Sequence, residues 1–391
     1  MCVGMFFRCP HQKSADFGPL SRRHLFGCWG LNVALTLAAP WLLHSFRYSP
    51  FYEWPDEVVN GMPKHFKCAI TFLREMNEST ADSLACGQST DLDVCIVAMT
   101  IRRPSNVSYV LPFVYSVARH MLQEPEKVRA RACLMVRQGD DNDDLETIPA
   151  AWVRHAGDGE RLKQWHWQEN LDYAAALESC AAIGRHVLVL EDDLISQEGF
   201  LSHIFSMLDE HPNPDDLIIK LFKTDFYEGW TLHSAVGWVA GVLTLAFVVA
   251  SVLARNVYLR LITMISISYL LVFYPLLMGA QHVLPVTQGL HKYTITSSCA
   301  ILFSQRQARL LSAYLQDNFN TLAVDLLLGD YVKQQNAEHA AVWRPSLFQH
   351  VGLKTSSPDK TEERVGAFNR FDYASWFSQD SLFVEDISEE C

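Results

Sequence analysis

The sequence has few basic residues and no run of them. It carries 32 Lys and Arg residues against 44 Asp and Glu residues, which gives a net charge of −12. A phosphate backbone is bound by clustered Lys and Arg, so this balance argues against a nucleic-acid partner. The chain also lacks a CxxC pair and a Cys/His cluster, which argues against a structural zinc site. With 49% apolar residues, it can build one large core.

Charged residues are also absent from three long apolar stretches, residues 24–46, 231–254 and 261–281. About 20 such residues in a helix cross a bilayer, so we predict three spans, of which the first is a signal anchor. The other two form a helical hairpin with a tip at 255–260. Basic residues favour the cytosolic side: Arg8, Lys13, Arg22, Arg23, Arg255 and Arg260. A cleaved signal peptide and a buried soluble hairpin are the alternatives.

This arrangement assigns residues 1–23 to the cytosol and both large flanks of the hairpin to the lumen. Residues 47–90 are polar and are interpreted as a stem or peripheral region. Residues 91–230 and 282–391 form the two parts of one α/β domain with a mostly parallel sheet. Strands are expected at 93–100, 132–136, 186–190 and 217–222, a strand or a loop followed by a strand at 294–303, and helices at 165–182, 305–316 and 321–332. The lumenal cysteines can form disulfides there, and the sequons at Asn77 and Asn106 permit glycosylation.

An acidic triplet follows the buried strand at 186–190. Glu191, Asp192 and Asp193 lie at its carboxyl end, the edge where open α/β sheets bind ligands. Three adjacent carboxylates repel one another unless solvent or a cation compensates, and their hard oxygen atoms suit Mn²⁺ or Mg²⁺. A solvated turn or helix cap is the alternative interpretation.

A strand followed by an acidic triplet in a membrane-anchored lumenal protein resembles the GT-A glycosyltransferases with a DxD-type motif. More closely, the chain resembles the post-GPI-attachment N-acetylgalactosamine transferase family, also called transmembrane protein 246, in which a membrane hairpin splits the GT-A domain. The resemblance implies an inverting Golgi enzyme that uses UDP-GalNAc and Mn²⁺ or Mg²⁺. It also implies GPI-anchored proteins as acceptors, at their first mannose, and contact with membrane lipids.

The resemblance also assigns the donor side of the site. The segment 99–103 resembles the loop that meets the nucleotide, with Thr100, Arg102 and Arg103. Glu191 and Asp192 are assigned to the donor as well. The segment 343–352 resembles the C-terminal segment whose histidine approaches the metal and diphosphate, which identifies His350. The expected metal ligands are Asp192, Asp193 and His350.

On the acceptor side, the segment 321–330 resembles the start of the acceptor helix. Asp325 is therefore the candidate base that deprotonates the acceptor hydroxyl. Alternatively, Asp325 only stabilises the helix dipole at the start of the helix. Asp225 and Glu228 are further candidates for the base. Ser297 and Ser298 are expected to line the acceptor pocket.

Two other functions remain open at this point. A relative that transfers GlcNAc to protein N-glycans would also suit the segment 343–352. A non-catalytic GT-A-like membrane scaffold is the second alternative, and a transporter-like protein is disfavoured because the spans contain no Asp, Glu, Lys or Arg.

Overall fold

The structure is a computed structural model of the 391-residue chain. It describes residues 34, 36–38, 62–87, 92–100, 109–138, 143–155, 164–210, 218–222, 232–253, 257–278, 289–292, 298–335, 340–344 and 346–350. The chain divides into two compact units, each built from two segments. One comprises Met1–Glu53 and Glu228–Leu284, and the other comprises Trp54–Tyr227 and Pro285–Cys391.

The described residues form strands and helices in alternation. The strands are β1 (Leu92–Thr100), β2 (Ala132–Gln138), β3 (Val153–His155), β4 (Gly184–Glu191), β5 (Leu194–Ser196), β6 (Ile218–Lys220), β7 (Gly289–Lys292), β8 (Ile301–Ser304), β9 (Ala340–Arg344) and β10 (Phe348–His350). The helices are α1 (Met62–Glu75), α2 (Glu78–Leu84), α3 (Val110–Gln123), α4 (Glu126–Arg129), α5 (Trp165–Ala181), α6 (Phe200–Glu210), α7 (Leu232–Leu253), α8 (Val257–Met278), α9 (Gln305–Asn318) and α10 (Val324–Gln334), with a 3-10 helix at Asp143–Thr147.

Eight strands form one mixed sheet in the order β3-β2-β1-β4-β8-β6-β9-β7. Strands β3, β2, β1 and β4 run parallel to one another, and β6 runs parallel to β9. Strand β8 runs antiparallel to both β4 and β6, and β7 antiparallel to β9. The predicted α/β class with a mostly parallel sheet is therefore confirmed, with two antiparallel strands that the sequence analysis did not distinguish.

The central strands are buried on both faces. Val187 and Val189 of β4 belong to the cluster that packs against α5, α9 and α10. Leu188 and Leu190 point to the opposite face and are also fully buried. This double burial explains the continuous apolar runs of the sequence. Gly184 begins β4 where a Cβ atom would lie 2.9 Å from the Cys95 backbone nitrogen, so the close approach of β1 requires glycine.

Two disulfides fix the start of the sheet. Cys86, just after α2, is bonded to Cys133 of β2, and Cys95 of β1 is bonded to Cys180 of α5. These two bonds agree with the expectation that cysteines in this part of the chain form disulfides. The buried Cys299 retains its thiol.

Of the stretch 294–303, expected as a strand or a loop followed by a strand, the described residues form a strand only at the end. Residues 293–297 lie outside the described part of the chain, and β8 starts only at Ile301. The reason is local, since Ala300 has φ +49°, a left-handed conformation that does not continue a strand. Residues 298–300 therefore form a buried turn before β8.

In the first unit, α7 and α8 are consecutive helices that contact each other along a helical hairpin. Each has 22 residues, about 33 Å at 1.5 Å per residue. The indole nitrogen of Trp238 donates to the Leu271 carbonyl, 2.8 Å away. Val242, Ala246 and Ala250 form a buried stripe at four-residue spacing, while most other large apolar side chains of α7 are exposed. Such a surface suits lipid contact.

Only part of the three-span prediction is supported. Within the described residues, one stretch, Ala235–Val252, is long and apolar enough to cross a membrane, whereas the apolar part of α8, Arg260–Leu276, is shorter. Helix α8 begins at Val257, so residues 257–260 of the predicted tip are helical. The first predicted span, 24–46, lies almost wholly outside the described residues.

A buried polar network fixes β5 to α3. His120 Nδ1 lies 2.9 Å from Ser196 Oγ, and the Ser196 backbone N–H donates to Ser116 Oγ at 3.2 Å. Burial, reinforced by the charge of Arg119, lowers the pKa of His120 to about 4. His120 therefore remains neutral at neutral pH, and its ring joins α3 to β5 without a charge.

This pKa predicts an acid-sensitive contribution to stability. On lowering the pH from 8 to 5, His120 in the unfolded chain gains a proton near the ordinary histidine pKa of 6.5, while His120 in the folded chain does not. Linkage then removes about 2 kcal/mol of unfolding free energy. The variant His120→Gln, which cannot titrate, should lose about 2 kcal/mol less than the wild type over the same range. Denaturant titration at both pH values measures this, and equal losses in the two proteins would contradict it.

Candidate active site

The acidic triplet lies where the chain leaves the sheet. Glu191 is the last residue of β4, and Asp192 and Asp193 form the turn into β5. Both aspartates are only 3% exposed. A buried carboxylate requires hydrogen bonds, an opposite charge or a cation. The burial of Asp192 and Asp193 therefore disfavours the interpretation as a solvated turn and favours a binding site.

The side chains of Glu191 and Asp192 point to opposite sides of the sheet. Glu191 follows Val187 and Val189 at alternate positions of β4, so it points toward the α5 side of the sheet. Asp192 turns the other way, and its Oδ2 accepts a hydrogen bond of 3.0 Å from the Thr100 hydroxyl. Thr100 ends β1, the parallel neighbour of β4. The two predicted donor-side residues thus lie together at one sheet edge.

A two-stranded antiparallel ribbon of β5 and β10 brings His350 to the triplet. His350 pairs with Leu194, the residue directly after Asp193. Its Nε2 lies 3.3 Å from Asp193 Oδ1, and its ring stacks on Phe222 with the centroids 5.9 Å apart. Both members of the His–Asp pair are buried. The ribbon joins two segments that are far apart in the sequence.

The turn before β8 supplies the next contacts. Because β8 runs antiparallel to β4 and Val189 pairs with Ile301, the turn at 298–300 lies beside Glu191. The Ser298 hydroxyl donates to Glu191 Oε1, and the Ser298 backbone N–H donates to Asp325 Oδ1 at 2.6 Å. Ser298 therefore links the last residue of β4 to the first turn of α10.

Five carboxylates lie in this region, and burial together with charge repulsion raises the pKa of two of them. Burial, followed by the charges of Asp193 and Asp325, raises the pKa of Glu191 to about 7, against the opposing hydrogen bonds from Ser298 and Cys299. Burial, followed by the charges of Glu191, Asp325 and Asp172, raises the pKa of Glu169 to about 8. Bound protons thus relieve part of the repulsion at neutral pH.

The site contains groups that fit a divalent cation. Two ligands on an octahedral ion at about 2.1 Å are about 3 Å apart, close to the 3.3 Å between Asp193 Oδ1 and His350 Nε2. Donor atoms of Glu191, Cys299 and His350 also lie within 4.8 Å of one another. Carboxylate oxygen and imidazole nitrogen are ligands that Mn²⁺ accepts. The residues present therefore fit such an ion.

The structure brings together most of the described residues that the sequence analysis singled out. Glu191, Asp193, His350, Ser298 and Asp325 form one cluster, with Thr100 and Asp192 paired beside it. The other candidates lie outside the described residues: Arg102, Arg103, Ser297, Asp225 and Glu228.

The sequence analysis missed two members of the cluster. Glu169 is one of several polar residues on α5, and no spacing links it to Glu191. Cys299 adjoins the predicted Ser298, but its position opposite Glu191 follows from the antiparallel register, which the sequence does not show.

The start of α10 is held in place by α5. The fully buried Asn170 donates its side-chain N–H groups to the carbonyl oxygens of Phe319 and Leu322, each at 2.8 Å. Both acceptors lie in the turn between α9 and α10, directly before the helix that carries Asp325. One amide thus fixes the approach of Asp325 to the cluster.

We expect Asn170→Asp to destabilise the fold by about 2–4 kcal/mol. The substitution keeps the size of the side chain but places a carboxylate oxygen against two carbonyl oxygens, at the cost of two buried hydrogen bonds. Denaturant unfolding measures the change. The matched control is Asn318→Asp, at the half-buried end of α9, where water can replace its single hydrogen bond to the Tyr314 carbonyl. Equal effects of the two variants would show that Asn170 does not hold the turn.

Comparison with known proteins shows the family to which the chain belongs. No curated protein sequence matches the chain. Residues 93–349, more than half of the chain, match the family described as GPI-N-acetylgalactosamine transferase PGAP4. The matched segment runs from β1 through the acidic triplet and the helical hairpin to β10. The chain is therefore a member of the GPI-N-acetylgalactosamine transferase family of glycosyltransferases.

Proposed function

We propose that this protein transfers GalNAc from UDP-GalNAc to the first mannose of GPI anchors, in the Golgi lumen, with Mn²⁺ or Mg²⁺ bound at the acidic triplet. The observation that carries the proposal is the buried cluster at the carboxyl edge of the sheet, in which Asp193 meets His350 and Glu191 meets Ser298. Family membership supports the sugar and the acceptor. The cluster supports a substrate with a diphosphate, because a cation held there can bind one.

Within this proposal, the donor side is formed by the ends of β1, β4 and β10. Asp193 and His350 would hold the ion, with Asp192 beside them on Thr100. Such an ion stabilises the negative charge that develops on the departing UDP. Burial of both aspartates excludes water from this region and strengthens electrostatic contacts there.

Asp325 is the proposed base on the acceptor side. It is exposed at the start of α10, where an acceptor hydroxyl can reach it, and the 2.6 Å hydrogen bond from the Ser298 N–H fixes one carboxylate oxygen. The acceptor oxygen forms a bond to C1 of the sugar as the bond from C1 to the diphosphate oxygen breaks. The proton of the acceptor hydroxyl passes to Asp325. Glu191 is less accessible to an acceptor hydroxyl, because its side chain is partly buried whereas that of Asp325 is exposed.

The helical hairpin is proposed to keep the catalytic unit close to the membrane. A GPI glycan is tied to the bilayer by its lipid, so its mannoses stay near the surface. Two further membrane attachments within the domain would restrict the orientation of the enzyme and raise its effective concentration at the acceptor. The exposed apolar surface of α7 supports contact with lipid.

A rescue experiment tests the proposed reaction. Cells that lack their own enzyme and carry a GPI-anchored reporter receive the wild type, Asp193→Asn, Asp325→Asn or the control Asp330→Asn at equal expression. Asp330 lies on α10 beyond the first turn and pairs with Lys333. We expect full GalNAc addition from the wild type and the control. Asp193→Asn should show none, and transfer by Asp325→Asn should fall by about 10²–10⁴-fold, the usual contribution of a general base.

Other outcomes would point elsewhere. Normal transfer by Asp193→Asn would show that the reaction does not need a cation at Asp193. Normal transfer by Asp325→Asn would show that another residue acts as the base. If the wild type adds no GalNAc to the GPI reporter but transfers GlcNAc to N-glycans, the proposed donor sugar and acceptor are both wrong. Equal rescue by every variant would favour a scaffold.

The role of the hairpin can be measured separately. Replacement of residues 231–281 by a short soluble loop, with the first apolar segment kept, should reduce transfer to GPI-anchored proteins. Hydrolysis of UDP-GalNAc should be preserved, because the donor residues lie in the other unit. Undiminished transfer to membrane-bound acceptors would contradict the proposal. Loss of both activities would indicate that the hairpin is needed for folding.

A further inference from the structure

The residue next to Ser298 has an environment that the proposed reaction does not explain. Cys299 is 6% exposed and carries a thiol, while the described cysteines of β1, β2 and α5 are joined in disulfides. The antiparallel register of β4 and β8, extended by two residues beyond the Val189–Ile301 pair, places Cys299 opposite Glu191. Its thiol donates a hydrogen bond to the Glu191 carboxylate.

We propose that Glu191, Cys299 and His350 form a thiolate-containing site for a thiophilic divalent cation, of which Zn²⁺ and Co²⁺ are the expected occupants. The inference rests on the proposed function only in that it places a cation at the same sheet edge. It adds a sulfur ligand that the acidic triplet alone does not provide.

The distances support such a site. Donor atoms of the three side chains all lie within 4.8 Å of one another. In a tetrahedral zinc site, a sulfur at 2.3 Å and nitrogen or oxygen at about 2.1 Å are separated by roughly 3.4–3.6 Å. The three donor atoms therefore need to move by only about 1 Å to reach the spacing of zinc ligands. Rotation of the Glu191 side chain can supply such a movement. Three protein ligands leave a fourth position open, as zinc sites that bind an exchangeable ligand do.

The surroundings of the three ligands also fit. Asp193 contacts His350 Nε2 at 3.3 Å, so it can join the ion or orient the imidazole, as carboxylates do next to metal-binding histidines. The left-handed conformation of Ala300 turns the chain directly after Cys299 and sets the position of the thiol before β8 begins. Crowded carboxylates nearby favour any bound cation.

The chemistry of sulfur determines which ions prefer this site. A thiolate is a soft ligand that binds Zn²⁺ and Co²⁺ much better than Mg²⁺, which prefers oxygen. Binding converts the Cys299 thiol to a thiolate and releases its proton to solvent. Because His350 is also a proposed Mn²⁺ ligand and Glu191 lies near Asp193, Zn²⁺ should compete with Mn²⁺ and inhibit transfer.

Co²⁺ binding to the purified full-length chain tests the site without reference to transfer. Wild type should bind one Co²⁺ with a sulfur-to-cobalt charge-transfer band in the near ultraviolet, and Zn²⁺ but not Mg²⁺ should displace it. Cys299→Ser should lose the band, and Glu191→Gln should weaken Co²⁺ binding by about 10–100-fold or more. The control Asp330→Asn should bind like the wild type.

A second measurement covers the case in which Cys299→Ser fails to fold. In the wild type, Zn²⁺ should protect Cys299 from alkylation by iodoacetamide, as read by mass spectrometry, while Mg²⁺ should not. Absence of the charge-transfer band in the wild type, its persistence in folded Cys299→Ser, or no protection by Zn²⁺ would overturn the proposal. A band in a protein that transfers no sugar would leave this site standing and refute the proposed function instead.

Discussion

The structure around the acidic triplet depends on one constraint, the repulsion among carboxylates that are partly or fully removed from water. Burial, followed by the charges of neighbouring carboxylates, raises the pKa of Glu191 to about 7 and that of Glu169 to about 8. Such a cluster is stable only if protons, hydrogen-bond donors or a cation offset the charge. Ser298 supplies two of the donors, and His350 supplies an imidazole at Asp193. A divalent ion would replace bound protons with a larger positive charge at the place where a diphosphate must bind.

Strand direction explains how this crowding arises. A purely parallel sheet would bring only the carboxyl ends of strands to this edge, where the triplet and Thr100 lie. The antiparallel β8 instead begins at the same edge, so the turn that precedes it contributes Ser298 and Cys299. The ribbon of β5 and β10 adds His350 from the end of the described chain. In sequence, the hairpin of α7 and α8 lies between β6 and β7, so it separates the donor-side segment from these later contributions.

The long buried elements could be predicted from the sequence, because an apolar run fixes a central strand almost by itself. The predicted strands at 93–100 and 186–190 differ from β1 and β4 by one or two residues at their ends, and the predicted helix at 165–182 extends α5 by one residue. Strands β3, β5, β7 and β10 have three or four residues, too few for a periodic pattern, and their pairing depends on distant partners. For the same reason the approach of His350 to Asp193 was expected only from the family resemblance. The position of Glu169 follows from helix packing and has no local signal.

The central claim is that Asp193 and His350 hold a divalent cation that binds the diphosphate of the donor. Electron paramagnetic resonance measures it directly, since Mn²⁺ loses its free-ion signal when it binds protein. Titration of Mn²⁺ into the purified chain with UDP present should show one bound ion in the wild type and little or none in Asp193→Asn. If the variant binds Mn²⁺ and UDP as tightly as the wild type, the carboxylate–histidine pair is structural and the account of the donor site is wrong.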